Sequence, residues 1–303
     1  MASARQFPVW ALIVGLLAGG CLHRSPGMLN PASSDPLSAQ QRELRDQLQR
    51  DVEKLAEELG PRNAADSYAQ VLLAERWLLD RLRAEGIEAR REEIDVNGRK
   101  VANVVATLTG GERQDEIVLI GAHYDTVSGS PGANDNASGV ALLLATARQL
   151  RDEPIGRTVR IVFFVNEESP FNSGLYMGSR VHAERSRARG DDIVAMIAVD
   201  SIGYYSSVPN SQNAPAFIIG LPSTGNFVAF LGNRENQALV DRVVAVFQAE
   251  SRFPSIGLTM KTKRIGRSDQ APFWWQGYPA LLMSDTSEGR DPNYHRPTDT
   301  ADK

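Results

Sequence analysis

The chain has 303 residues, 42% hydrophobic and 23% charged, which is enough apolar material for one large domain or two small ones. A formal net charge of −4 argues against nucleic acid or an anionic membrane face as the main partner. Cys21 is the only cysteine, so no internal disulfide is possible and stability must come from packing, with metal as a further source.

At the N-terminus, "MASARQFPVWALIVGLLAGGC" has one early Arg5, an apolar run from Val9 to Leu17, and small residues leading to Cys21. The run is short for a bilayer span and has the shape of a secretory signal. "LAGGC" resembles a bacterial lipobox, in which the cysteine is lipidated and becomes the mature N-terminus. Ala18 stands where Leu is commoner, and a plain signal peptide cut nearby is the alternative. Either way the chain is expected to be exported, as a lipoprotein on the periplasmic face of a bacterial membrane or as a secreted protein. Residues 1–21 are read as signal, the Pro/Ser/Gly-rich residues 22–40 as a flexible tether, and 41–303 as one catalytic domain.

From about Gln41 to Leu59 apolar residues recur at helical spacing, and Gly60-Pro61 stops the helix. A second helix is predicted in "AADSYAQVLLAERWLLDRLRAEGI", with its Ala, Leu and Trp stripe in the core. "EEIDVNGRKVANVVATLTG" carries Asn97-Gly98 between alternating residues, a hairpin signal. Strand-like "EIVLIGA", helix-like "GVALLLATARQL", and strand-like "RTVRIVFFV", "DDIVAMIAVD" and "APAFIIG" come next. Helix-like "ALVDRVVAVFQAE" and strand-like "PALLMSD" complete the pattern. Buried strands alternating with helices imply an α/β sheet covered on both faces, with sites beyond the carboxyl ends of its strands.

Those strand ends deliver polar residues. "VLIGAHYD" ends in His123 and Asp125, "IVFFVNEES" in Glu167 and Glu168, and "VAMIAVD" in Asp200. "PALLMSD" leads through a polar loop to His295 in "NYHRPTDT", and Asp135 sits in "GANDNASG" before the helix near Gly139. Each has an ordinary reading: a satisfied loop pair, solvated acids, a lone histidine. Together they put five potential ligands at one edge of one sheet. Two histidines with carboxylates and no thiolate suit zinc or a similar divalent ion. Asp125 lies on the same side of an extended chain as His123 and is expected to accept its other imidazole N–H. Adjacent glutamates diverge, so one would ligate while the other holds a water as general base.

The set resembles the di-zinc aminopeptidases of metallopeptidase family 28, whose pattern appears here in order as "HYD", "GANDNASG", "NEES", "AVD" and "YHRP", from about Gly60 to the end. The resemblance implies a three-layer α/β/α fold with a mixed, mostly parallel central sheet of the zinc-exopeptidase (phosphorylase/hydrolase-like) type. It implies two zinc ions per chain bridged by Asp135, with His123 and Asp200 on one and Glu168 and His295 on the other. Glu167 would be general base and acid, and Asp125 the partner of His123. Tyr294 matches a tyrosine that stabilises the oxyanion in some members, though packing beside the site is an equal reading. Removal of the first residue from a peptide with a free N-terminus is implied by the resemblance alone.

Two departures stand out. Gln270, in "RSDQAPFWWQGYP", occupies a position where the family often has His, so an acid role there would be lost. The chain stops at "TDTADK" where relatives usually continue into another helix, so the domain is expected to be cut short. Glutaminyl cyclases resemble these peptidases but use one zinc, and some relatives of the fold are non-catalytic; five filled ligand positions favour a two-metal enzyme. No G-x-S-x-G elbow or HExxH appears. His23 belongs to the tether, and His182 in "SRVHAER" is expected on an exposed helix. Trp274 and Trp275 either pack in the core or line a pocket for an apolar side chain.

Overall fold

The computed structural model of the chain describes residues 36–213, 221–260 and 266–303, and the backbone of a short strand at 23–25. The signal segment, Cys21, residues 26–35 of the tether and the strand-like "APAFIIG" lie outside the described residues.

Nine strands form one sheet among the described residues. They are β1 (His23–Ser25), β2 (Ala89–Val96), β3 (Arg99–Leu108), β4 (Arg113–His123), β5 (Arg157–Phe164), β6 (Asp192–Val199), β7 (Val228–Gly232), β8 (Ser255–Thr259) and β9 (Ala280–Ser284). Their order is β1-β8-β7-β9-β6-β4-β5-β3-β2. The central run β9-β6-β4-β5 is parallel, and antiparallel pairings flank it on both sides. The sheet is therefore mixed, with its parallel strands in the middle. Ile120 of β4 pairs with Ile161 of β5 and Ile197 of β6, which brings three carboxyl ends side by side.

The helices are α1 (Ala39–Glu53), α2 (Tyr68–Ala84), α3 (Gly139–Leu150), α4 (Gly178–Arg189), α5 (Gln237–Glu250) and the short α6 (Ala271–Trp275). Ser38 caps α1 in a reciprocal box with Gln41. A wider turn over Lys54–Leu59 extends α1 to Gly60, whose φ of 70° needs no Cβ. The Asn97-Gly98 hairpin forms as expected, joining β2 to β3. Val159, Ile161 and Phe163 of β5 face a core shared with α2 and α3. Val162 and Phe164 face the opposite core, with Ala183 of α4 and Phe273 of α6. The period-two alternation of one strand thus separates two helical layers, giving the three-layer architecture.

His182 corrects a sequence expectation. It is fully buried rather than exposed, its Nδ1 lies 2.7 Å from Glu92 of β2, and its ring packs near Phe164 and Phe273. The charge-rich sequence of α4 hid a buried stripe of Gly178, Ser179, His182, Ala183 and Ser186.

Candidate metal centre

At the carboxyl end of β4, His123 Nδ1 lies 3.1 Å from the backbone carbonyl of Asp125. That bond places the proton on Nδ1 and leaves Nε2 free to ligate a metal. His123 Nε2 faces Asp135 Oδ1 at 3.2 Å and Asp200 Oδ1 at 3.7 Å. His295 Nε2 lies 3.1 Å from the other oxygen of Asp135 and 3.0 Å from Glu168 Oε1. One buried carboxylate therefore presents an oxygen to each imidazole.

The backbone aims these groups. Asn166, Ser201 and His295 all hold positive φ, at 62°, 52° and 59°, so the chain turns sharply just before Glu167, just after Asp200 and at His295 itself. Gly132 has φ 66°, and a Cβ there would collide with the Asp135 carbonyl and the Thr126 methyl. Asp299 accepts the amides of Asn134 (2.8 Å) and Asp135 (3.1 Å), and its carbonyl accepts that of Ala133 (3.1 Å). Asn136 accepts from Gly139 and Ser201 and donates to Val199 O, tying this loop to the end of β6. Ser268 Oγ fixes Asp200 by donating to its Oδ2 at 2.7 Å.

Asp125 differs from expectation. Its carboxylate stands 3.7 Å from His123 Nδ1 and instead accepts the amides of Glu167 and Glu168, each at 3.1 Å. The imidazole takes the neighbouring carbonyl because that oxygen lies closer. Sequence reasoning also missed Arg62, which is fully buried and donates to Tyr124 O and Pro131 O beside this loop. Its only signal was its place after the Gly60-Pro61 helix stop.

The electrostatics are those of crowded acids. Burial pushes the Glu167 carboxyl well above its ordinary value, with Glu168, Asp200 and Asp269 adding to the effect. Burial and Asp135 raise Glu168 to about 7. Burial opposes the charge on His295, but Asp135 and Glu168 outweigh it and raise the imidazole to about 10. Burial likewise opposes the charge on His123, and Asp135 and Asp200 raise it nonetheless. Tyr294 stacks on His295, ring centroids 3.8 Å apart, and burial with the surrounding carboxylates holds its hydroxyl in the protonated form. Gln270 is fully buried at the start of α6. Trp274 packs against two cores and donates to Ala280 O, while Trp275 is half-exposed.

The residues fit a divalent pair. His123, Asp135 and Asp200 form one group of converging ligand atoms and Asp135, Glu168 and His295 another, each within 4.8 Å. Asp135 Oδ1 is buried without a hydrogen-bond partner although it faces an imidazole, an orphan that a cation would satisfy. A cavity of about 470 Å³ lined by residues including Leu48, Val52, Ala141 and Ile202 contains none of these ligands.

The chain is similar to known proteins in sequence and in fold. YfbL of Escherichia coli is 32% identical over 270 residues, covering 85% of this chain and 82% of that protein. A probable lipoprotein aminopeptidase, LpqL of Mycobacterium tuberculosis, is 32% identical over 67% of this chain. The chain spans only 41% of LpqL and 48% and 52% of two further relatives. The zinc aminopeptidase BSAP of Bacillus subtilis has the same fold, with a TM-score of 0.67 at 14% identity, covering 85% of this chain and 89% of that one. Solved glutaminyl cyclases share the fold too. Residues 103–303 match the family described as Peptidase family M28, and the chain belongs to that family.

Proposed function

We propose that the protein is a zinc aminopeptidase that removes N-terminal residues from peptides with a free N-terminus. The observation that carries this reading is the pair of ligand groups sharing Asp135. His123, Asp135 and Asp200 would hold one zinc ion and Asp135, Glu168 and His295 the other. Such a pair supplies a Lewis acid for the scissile carbonyl and lowers the pKa of the attacking water. Glu167, whose burial favours proton uptake, takes the water's proton and passes it to the leaving amine. Asp125 holds the amides of both glutamates, which fixes where the base stands. Tyr294 keeps its proton and can donate a hydrogen bond to the developing oxyanion.

The test is hydrolysis of aminoacyl chromogenic amides, abolished by a chelator and restored by zinc. A chain that cyclised an N-terminal glutamine with one bound zinc, and left those amides intact, would be a glutaminyl cyclase instead. We further propose export with lipidation at Cys21, a reading supported by the "LAGGC" segment and by the name of LpqL.

A further inference from the structure

Asn63 belongs to neither ligand group, yet it touches both loops that carry them. The first loop, residues 124–135, bears Asp125 and Asp135; the second, 166–169, bears Glu167 and Glu168. Asn63 is buried, and its Nδ2 donates to Thr126 O at 2.8 Å in the first loop and to Ser169 O at 3.0 Å in the second. Its neighbour Arg62 braces it. Arg62 exchanges two further bonds with Thr126, the Arg62 amide to Oγ1 and the Thr126 amide to Arg62 O, both at 2.9 Å. The Arg62 guanidinium donates to backbone carbonyls of Tyr124, Leu55, Gly60 and Pro131 at 2.6–2.9 Å. Those rigid forked donors fix the clamp to the end of the first helix.

Around Glu168 the consequence is geometric. Asp125 Oδ2 holds the amide on its N-terminal side, and Asn63 holds the carbonyl of Ser169 on its C-terminal side. Ser169 O belongs to the peptide one residue beyond Glu168, so the chain is held immediately before Glu168 and one residue after it, which restricts the swing of its side chain relative to Asp135. The group His123, Asp135 and Asp200 uses no residue of the second loop; the group Asp135, Glu168 and His295 needs both loops.

We propose that Asn63, braced by Arg62, is a positioning residue that sets the spacing of the two loops and thereby the affinity for the second cation alone. The proposal rests on the two-zinc reading above. Its test is stepwise zinc titration of the metal-stripped full-length chain against a chromogenic chelator, with circular dichroism to verify folding. Asn63→Ala should keep the first zinc at wild-type affinity and weaken the second by about tenfold to a hundredfold, as loss of outer-shell support does. Two unchanged steps, or two steps weakened alike, would overturn the proposal. If Asn63→Ala does not fold, Asn63→Asp keeps the acceptor for the Ala65 amide and loses only the two donors. Its added negative charge acts on both steps, so the comparison is between them: a second step weakened relative to the first supports the clamp, and two steps shifted alike refute it. A wild-type chain that takes up a single zinc ion defeats the two-zinc reading itself, before any variant is made.

Discussion

Asn166, Ser201 and His295 are not glycines, yet each holds a left-handed backbone beside a group of the centre. Such conformations cost on the order of 1–3 kcal/mol apiece and persist where the surroundings over-determine them. Here the reward is aim, since each turn points a carboxylate or imidazole at Asp135. Glu167 is the residue whose role is easiest to isolate, because it lies outside both ligand groups. Glu167→Gln should retain both zinc ions and lose turnover by about a hundredfold to ten-thousandfold. Elemental analysis beside kcat would check it, and unchanged turnover would remove Glu167 from the proton path. The residues that converge around Asp135 were legible in the sequence because strand ends are easy to find and the residue types are distinctive. Arg62 and Asn63 were not, because their partners are backbone carbonyls far along the chain, which leave no trace in composition or spacing.

Strands and helices show the same division. Long alternating or apolar runs such as β4 and β5 were predictable, and so was the Asn97-Gly98 hairpin. The five-residue strands β7 and β8 were missed, since each contains a glycine and neither is long enough to establish a period. Helix α4 misled because its arginines outnumber its buried residues of any one type, while its inward face is small and polar. That face carries the Glu92–His182 pair. Burial opposes the charge on Glu92, but His182 and Asn103 outweigh it and lower the carboxyl to about 2. The folded value lies below the ordinary 4.5, so this stabilisation is complete above about pH 4.5 and lost as pH falls towards 2. Burial holds the His182 imidazole below its ordinary value, so the pair is a buried carboxylate hydrogen-bonded to an imidazole, and removing the imidazole strands the carboxylate. His182→Phe should therefore cost about 3–5 kcal/mol in denaturant unfolding, and adding Glu92→Leu should recover much of it. In Glu92→Gln the acid limb of the stability profile should be shallower; an identical limb would contradict the assignment.

At the scale of the whole molecule, candidate ligands from residue 123 to residue 295 meet because four parallel strands end at one rim. The order of those strands was not readable from the sequence, which shows the strands' existence but not which ones pair. The far N-terminus makes its own prediction: radiolabelled palmitate should enter the wild-type chain and be absent from Cys21→Ser, and label that persists would refute lipidation there. The Asp299 bonds to Asn134 and Asp135 have a biosynthetic corollary. A nascent chain still lacking residue 299 can lay down its central strands but lacks the acceptor for the Asn134 and Asp135 amides. The centre would therefore be completed only once His295 and Asp299 had joined it.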